Sequence, residues 1–266
     1  MSDDQAGRPA APSPAAPPSA DRSAGLPPSA PGAHALSDPP SAAADLFGPA
    51  LPLIRRYAEL LAGPGVERGL IGPREVERLW DRHLMNCGAV AELISLNVRV
   101  VDVGSGGGLP GLVLAATRPD LRVILLEPLL RRTLFLGECI EELKLSNAEI
   151  LRGRAEEWAG RMEADVVTAR AVAPMGRLVG WCLPLLRPGG RMLALKGDAA
   201  AEELQAVAPS LPGLGAKSWA VVNVGASLGA AATKVVRIEL GAAGYRQPTS
   251  RSQARSGRRM RPGSRG

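Results

Sequence analysis

The run Val100-Val101-Asp102-Val103-Gly104-Ser105-Gly106-Gly107-Gly108-Leu109-Pro110-Gly111 dictates a strand, a tight loop and a helix start. The apolar residues ending in an acid read as a buried strand end. Glycine density lets backbone approach a ligand closely, because no side chain stands in the way. Pro110 suits the first turn of the helix that follows. A second apolar run, Val123-Ile124-Leu125-Leu126, ends in Glu127. A carboxylate there can grip ribose hydroxyls, at close to the ~20-residue spacing of a nucleotide-binding unit.

Strands are expected at 98–103, 122–126, 147–151, 165–169, 190–195, 217–224 and 234–240. Helices are expected between them at 110–117, 131–145, 175–186 and 199–208. This alternation predicts an α/β, Rossmann-like fold with a seven-stranded, mainly parallel sheet covered on both faces. The last two strands have no helix between them and are expected to pair antiparallel at the sheet edge. Ahead of the sheet, apolar spacings of three and four residues predict N-terminal helices over 45–62 and 73–94. In such a fold, ligands bind at the carboxyl ends of the strands, where the topology switches.

Composition limits the folded part of the 266-residue chain to about 41–244. Residues 1–40 hold ten of the 24 prolines and almost no large apolar residue, so they are expected to be disordered. Residues 245–266 hold seven arginines and no acid, and are read as a second disordered tail. The net charge of +6 therefore sits in that tail, and the fold itself is near neutral. An arginine tail suits a polyanion such as RNA, or simply solubilises the chain. Cys87, Cys139 and Cys182 are odd in number and far apart, so neither a disulfide framework nor a metal site is expected. No signal peptide or apolar span of about 18 residues is present, which predicts a cytoplasmic protein without membrane attachment.

Two glycine registers overlap in the loop. Gly104, Gly106 and Gly108 form one. Gly106, Gly108 and Gly111 form the dinucleotide spacing, which leaves an NAD(P)-dependent reductase as one reading. Asp102 separates them on charge. An acid beside a pyrophosphate is unfavourable, whereas beside the amine of a methionine moiety it is natural. S-adenosylmethionine carries no phosphate and has a positive sulfonium, so it is the expected cofactor, with Asp102, Gly104, Gly106 and Gly108 around its methionine end and Glu127 on its ribose.

Further motifs run in order with this loop: Arg82-His83-Leu84, Arg131-Arg132 with Phe135-Leu136, Arg154-Ala155-Glu156-Glu157, Thr168-Ala169-Arg170-Ala171 and Ala194-Leu195-Lys196-Gly197. Together with the Gly-Leu-Pro-Gly ending of the loop, they resemble the glucose-inhibited division protein B family, also called RsmG, over about residues 50–240. The resemblance implies a class I methyltransferase that uses S-adenosylmethionine to methylate guanine N7 in 16S rRNA of the small ribosomal subunit. It implies cofactor contacts at Gly104, Leu109, Ala155, Glu156 and Arg170.

Guanine N7 has an exposed lone pair, so such an enzyme needs positioning more than acid–base chemistry. Arg170, His83 and Lys196 are the candidate catalytic residues. His83 also reads as a satisfied helix-end histidine, and Lys196 as a holder of RNA phosphate or a solvated charge. No Pro-Cys pair or Asn/Asp-Pro-Pro-Tyr/Phe motif appears, which argues against pyrimidine C5 and amino-group methylation. A monomer is the simplest expectation. A non-catalytic rRNA-binding assembly factor on the same fold is the remaining alternative.

Overall fold

The computed structural model describes residues 36–225 and 233–247. Most of both expected tails, with His34, lies outside them. The seven strands are β1 (Arg99–Val103), β2 (Arg122–Glu127), β3 (Ala148–Arg152), β4 (Ala164–Arg170), β5 (Leu186–Lys196), β6 (Ala216–Val224) and β7 (Thr233–Leu240). They form one sheet in the order β3-β2-β1-β4-β5-β7-β6. The first five pair in parallel. β7 runs antiparallel to both β5 and β6. The reversed strand is thus inserted, and β6 becomes the edge.

Period-two alternation explains the two-sided core. Val100, Val123, Leu125, Val166 and Leu193 join the apolar cluster on one face. Val101, Ile124, Leu126, Val167 and Met192 join the cluster on the other. The first cluster takes helices α1 (Ala42–Phe47), α2 (Leu51–Leu60), α3 (Met85–Ala89), α4 (Gly111–Thr117) and α5 (Leu130–Glu142). The second takes α6 (Met175–Cys182) and α7 (Ala200–Val207). Cys182 is buried in that second cluster, as a core cysteine should be.

The two expected N-terminal helices are helical along most of their length but irregular. A π-helical turn, Leu61–Gly65, contains Pro64 and extends α2. Between Pro73 and Leu93 a 3-10 turn, Pro73–Arg78, leads through a π turn, Leu79–Leu84, into α3 and a last 3-10 turn, Val90–Leu93. Pro64 lacks a backbone N–H, so the regular hydrogen-bond ladder cannot continue through it. Among the described residues, no helix is long and apolar enough to cross a membrane.

β1 has β2 on one side and β4 on the other, and the chain returns past β1 after β3. This is the topological switch point, and the carboxyl ends of β1, β2 and β4 open there.

Candidate active site

The glycine loop leaves β1 at the switch point and is tied from four directions. Gly104 donates its N–H to the Leu126 carbonyl of β2 at 2.8 Å. Gly106 donates to Glu127 Oε2 at 2.9 Å. Tyr57 on α2, fully buried, donates its hydroxyl to the Gly107 carbonyl at 2.6 Å. The Gly111 N–H at the start of α4 donates to Asp102 Oδ2 at 3.1 Å. Gly104, Gly106 and Gly108 all have positive φ, +67°, +59° and +100°, a region that side chains other than glycine rarely adopt.

Two cavities flank the loop and share Gly104, Pro128 and Val172. The smaller, about 280 Å³, lies between the ends of β1 and β2, with Val103, Leu126, Ala155, Glu156 and Trp181 on its walls. Such a mainly apolar slot suits a flat base. The larger, about 750 Å³, is lined by the loop, Glu127, Arg132, Arg170, His83, Glu75 and Arg82. Two arginine Nε atoms there, of Arg132 and Arg170, are buried without a hydrogen-bond partner. A two-ended ligand with an aromatic base and a zwitterionic amino acid matches this pair of cavities in shape and polarity. The residues present therefore fit S-adenosylmethionine.

Most of the residues expected at the site converge here. Gly104, Gly106, Leu109, Glu127, Arg170 and His83 line the larger cavity; Gly104, Ala155 and Glu156 line the smaller. The Glu127 carboxylate is buried and already accepts from Gly106 and, at 3.0 Å, from the Leu129 N–H. Arg132 lies 3.5 Å from it.

Three expected residues sit elsewhere. Asp102 lies beneath the loop rather than on a cavity wall. Its carboxylate is fully buried, accepting from Thr168 Oγ1 at 2.9 Å as well as from Gly111. Burial pushes its carboxyl up to about 6, against the pull of those donors. Gly108 also faces inward: a Cβ there would meet Leu112 Cγ at 2.7 Å and Tyr57 Oη at 2.8 Å. Lys196 is pulled away from both cavities, donating to the Ala173 carbonyl and Glu203 Oε2, each at 2.8 Å. Its charge is spent on holding α7 to the sheet.

Arg170 ends β4, and Ala171 after it has φ +53°, turning the chain so that Val172 packs on Gly104. The guanidinium Nη1 of Arg170 lies 2.7 Å from His83 Nδ1, and His83 Nε2 lies 2.8 Å from Glu75 Oε2. Arginine is always a donor, so Nδ1 must accept; the ring proton is then on Nε2 and is donated to Glu75. Burial first, and the Arg170 charge next, hold the imidazole below its usual range. His83 is thus neutral and buried, with both ring nitrogens partnered at the wall of the larger cavity.

Arg132, one of the Arg131-Arg132 pair in the sequence motifs, lines the larger cavity, and Tyr57, Glu75, Val172 and Trp181 line or brace the cavities without having been singled out from the sequence. Tyr57 looked like one more member of an apolar stripe. The one available signal was its phenol, which needs a partner when buried.

The sequence comparisons agree with this geometry. The GidB family, described as rRNA small subunit methyltransferase G, matches residues 50–228. A curated relative of that name, Ribosomal RNA small subunit methyltransferase G from Thermobifida fusca, is 54% identical over 228 residues, 85% of this chain and 96% of its own length. Its namesake from Mycolicibacterium gilvum is 52% identical over 230 residues, covering 85% of this chain and 98% of itself. Among solved structures, a Klebsiella pneumoniae protein assigned as an O-methyltransferase superposes with TM-score 0.50 at 16% identity, over 74% of this chain and 94% of its own. At that identity it supports the fold alone. The chain belongs to the rRNA small subunit methyltransferase G family.

Proposed function

We propose that this protein transfers the methyl group of S-adenosylmethionine to N7 of a guanine in 16S rRNA of the small ribosomal subunit. The observation that carries the reading is the pair of cavities meeting at Gly104, in a chain of this family. S-adenosylmethionine supplies a methyl group on a positive sulfur, which is a good leaving group.

The residues of the chain bind, orient and exclude water. Val103, Leu126, Ala155 and Trp181 enclose the adenine end, with Glu156 at its rim. Glu127 serves the ribose: each carboxylate oxygen accepts one backbone N–H and keeps a further lone pair. The backbone of Gly104 to Gly107, with Leu109, lines the space for the methionine end and the acceptor base. Arg170 lines that space and offers its guanidinium to an acceptor on cofactor or base. Because N7 already carries its lone pair, no group in the cavity has to remove a proton, and rate comes from orientation. His83 is consistent with that: its Nδ1 lone pair is taken by Arg170, so it holds the guanidinium rather than acting as a base.

Residues 41–244 form the catalytic domain in this reading, with tails at 1–40 and 245–266. The enzyme acts as a monomer in the cytoplasm, on its ribosomal substrate. The arginine tail would add nonspecific RNA affinity, seen as a steeper salt dependence than in a chain ending at residue 244.

Mapping of N7-methylguanine in 16S rRNA with and without the protein tests the reaction, and calorimetry with S-adenosylmethionine and NADH tests the cofactor. Heat for NADH and none for S-adenosylmethionine would return the chain to the reductase reading. Cofactor binding without transfer of labelled methyl to undermethylated small subunits would leave a non-catalytic assembly factor.

A further inference from the structure

We propose that Glu75 and His83 form a positioning relay that holds the Arg170 guanidinium at the larger cavity, and that protonation of His83 releases it. The relay rests on the methyltransferase reading only for what Arg170 is held to do. Its geometry stands by itself: Glu75 Oε2 to His83 Nε2 at 2.8 Å, and His83 Nδ1 to Arg170 Nη1 at 2.7 Å.

Each member comes from a different element. Glu75 sits on the turn Pro73–Arg78, His83 on the turn Leu79–Leu84 and Arg170 at the end of β4. All three line the same cavity. The acceptor Glu75 fixes the ring proton on Nε2, which leaves Nδ1 as the acceptor that Arg170 needs. Ring nitrogens are commonly set in this way by what the other nitrogen touches. Without Glu75 the ring is free to carry its proton on Nδ1, and two donors would then face each other. A proton added to Nδ1 from solvent does the same: the bond from Arg170 Nη1 is lost, and two positive groups are left in contact distance.

The charged groups facing His83 are Glu75, Arg170 and Arg82 on its own turn. Glu127 and Arg132 line the wall of the same cavity. Burial and Arg170 oppose protonation, whereas Glu75 favours it. The balance keeps the ring neutral at neutral pH and puts the switch on the acid side of the usual histidine range. Glu75 is held below the ordinary carboxylate range, chiefly by its bond to His83, so it remains an acceptor there.

The two amides separate the halves of the relay. Asn places an oxygen where Nδ1 sits, and Gln places a nitrogen near Nε2. Nitrogen-15 long-range correlation of the full chain reads the ring directly, because only His34 and His83 are present. At neutral pH His83 is expected as the Nε2–H tautomer, kept in Glu75→Gln and mixed in Glu75→Ala. Calorimetry with S-adenosylhomocysteine from pH about 5 to about 8 gives the second readout. Affinity in the unmodified protein is expected to fall about tenfold per pH unit once His83 protonates. His83→Asn is expected to bind with a flattened acid limb, and His83→Gln to bind as weakly as His83→Ala. Asp102 also titrates in this window, at about 6, but it is present in every variant, so the difference between profiles belongs to His83. An Nδ1–H tautomer in the unmodified protein, or an acid limb unchanged in His83→Asn, overturns the relay. No binding of S-adenosylhomocysteine by the unmodified protein at any pH would instead overturn the methyltransferase reading, with the tautomer still to be read.

Discussion

Thr168 on β4 donates its hydroxyl to Asp102 on β1 at 2.9 Å, and the two residues stand directly opposite each other in the parallel register. With the bond from Gly111, this makes one buried carboxylate the joint between two strands and the start of α4. Asp102→Ala leaves two buried donors without an acceptor and is expected to cost about 2–4 kcal/mol. Asp102→Asn can keep both contacts, its oxygen accepting from Gly111 and its amide donating to Thr168. The carboxyl is raised from 3.8 to about 6 on folding, so the folded state holds its proton more tightly. That contribution is present at low pH and is lost as pH rises through this interval. The stability of Asp102→Asn relative to the unmodified protein should therefore improve between pH about 4 and about 7. Urea unfolding at both ends of that range measures it, and a constant difference would contradict the buried carboxyl.

The phenol of Tyr57 is a clamp on the loop, and its removal should be felt in both stability and binding. Tyr57→Phe deletes the bond to the Gly107 carbonyl while keeping the ring in the core. A loss of about 1 kcal/mol is expected, with weaker S-adenosylhomocysteine binding from a looser loop. Full affinity in Tyr57→Phe would show that the loop holds its shape without α2.

Gly104 combines two constraints that a double variant can separate. An added Cβ would lie 2.8 Å from Val172 Cγ1, and φ is +67°. Gly104→Ala should weaken cofactor binding by closing the junction between the cavities. Gly104→Ala with Val172→Ala should recover part of that loss but keep the backbone strain, on the order of 1–3 kcal/mol. Complete recovery in the double variant would assign the effect to Val172 alone.

Lys196 links three pieces of the second core. It reaches the Ala173 carbonyl and Glu203, and Glu203 in turn accepts the Met175 N–H at 2.7 Å where α6 begins. Lys196→Ala is expected to destabilise by about 1–2 kcal/mol, since a mostly buried ion pair loses its cation. S-adenosylhomocysteine affinity should be retained, as judged by calorimetry beside thermal unfolding. A large loss of affinity at unchanged stability would restore Lys196 to the ligand site.

The strands and the place of the site were legible because they follow from local patterns, whereas the insertion of β7 between β5 and β6 was not. Consecutive Val, Ile and Leu in 99–103 and 122–127 can only be buried on both faces, which demands helices above and below. Glycines at 104, 106 and 108 report a backbone in the left-handed region whatever surrounds it. Arg170 was legible from its position at a strand end beside that loop. The N-terminal helices were legible in extent but not in their 3-10 and π turns, of which only the one at Pro64 has a local cause in the sequence.

The sequence alone thus determined that a glycine loop at the end of β1 faces an acid on β2, and that the chain carries the motifs of a methyltransferase. Tertiary structure decided which polar groups actually reach the cavity. Asp102 reads from sequence as a ligand for an amine, but Thr168, 66 residues away, and Gly111 take its oxygens. Glu75 carries no signal of its own within the expected helix 73–94, yet the fold puts it against His83, and His83 against Arg170. The physical reason is common to these cases. A buried polar side chain takes the partners that packing brings within about 3 Å, and those partners come from distant segments whose meeting no local pattern encodes.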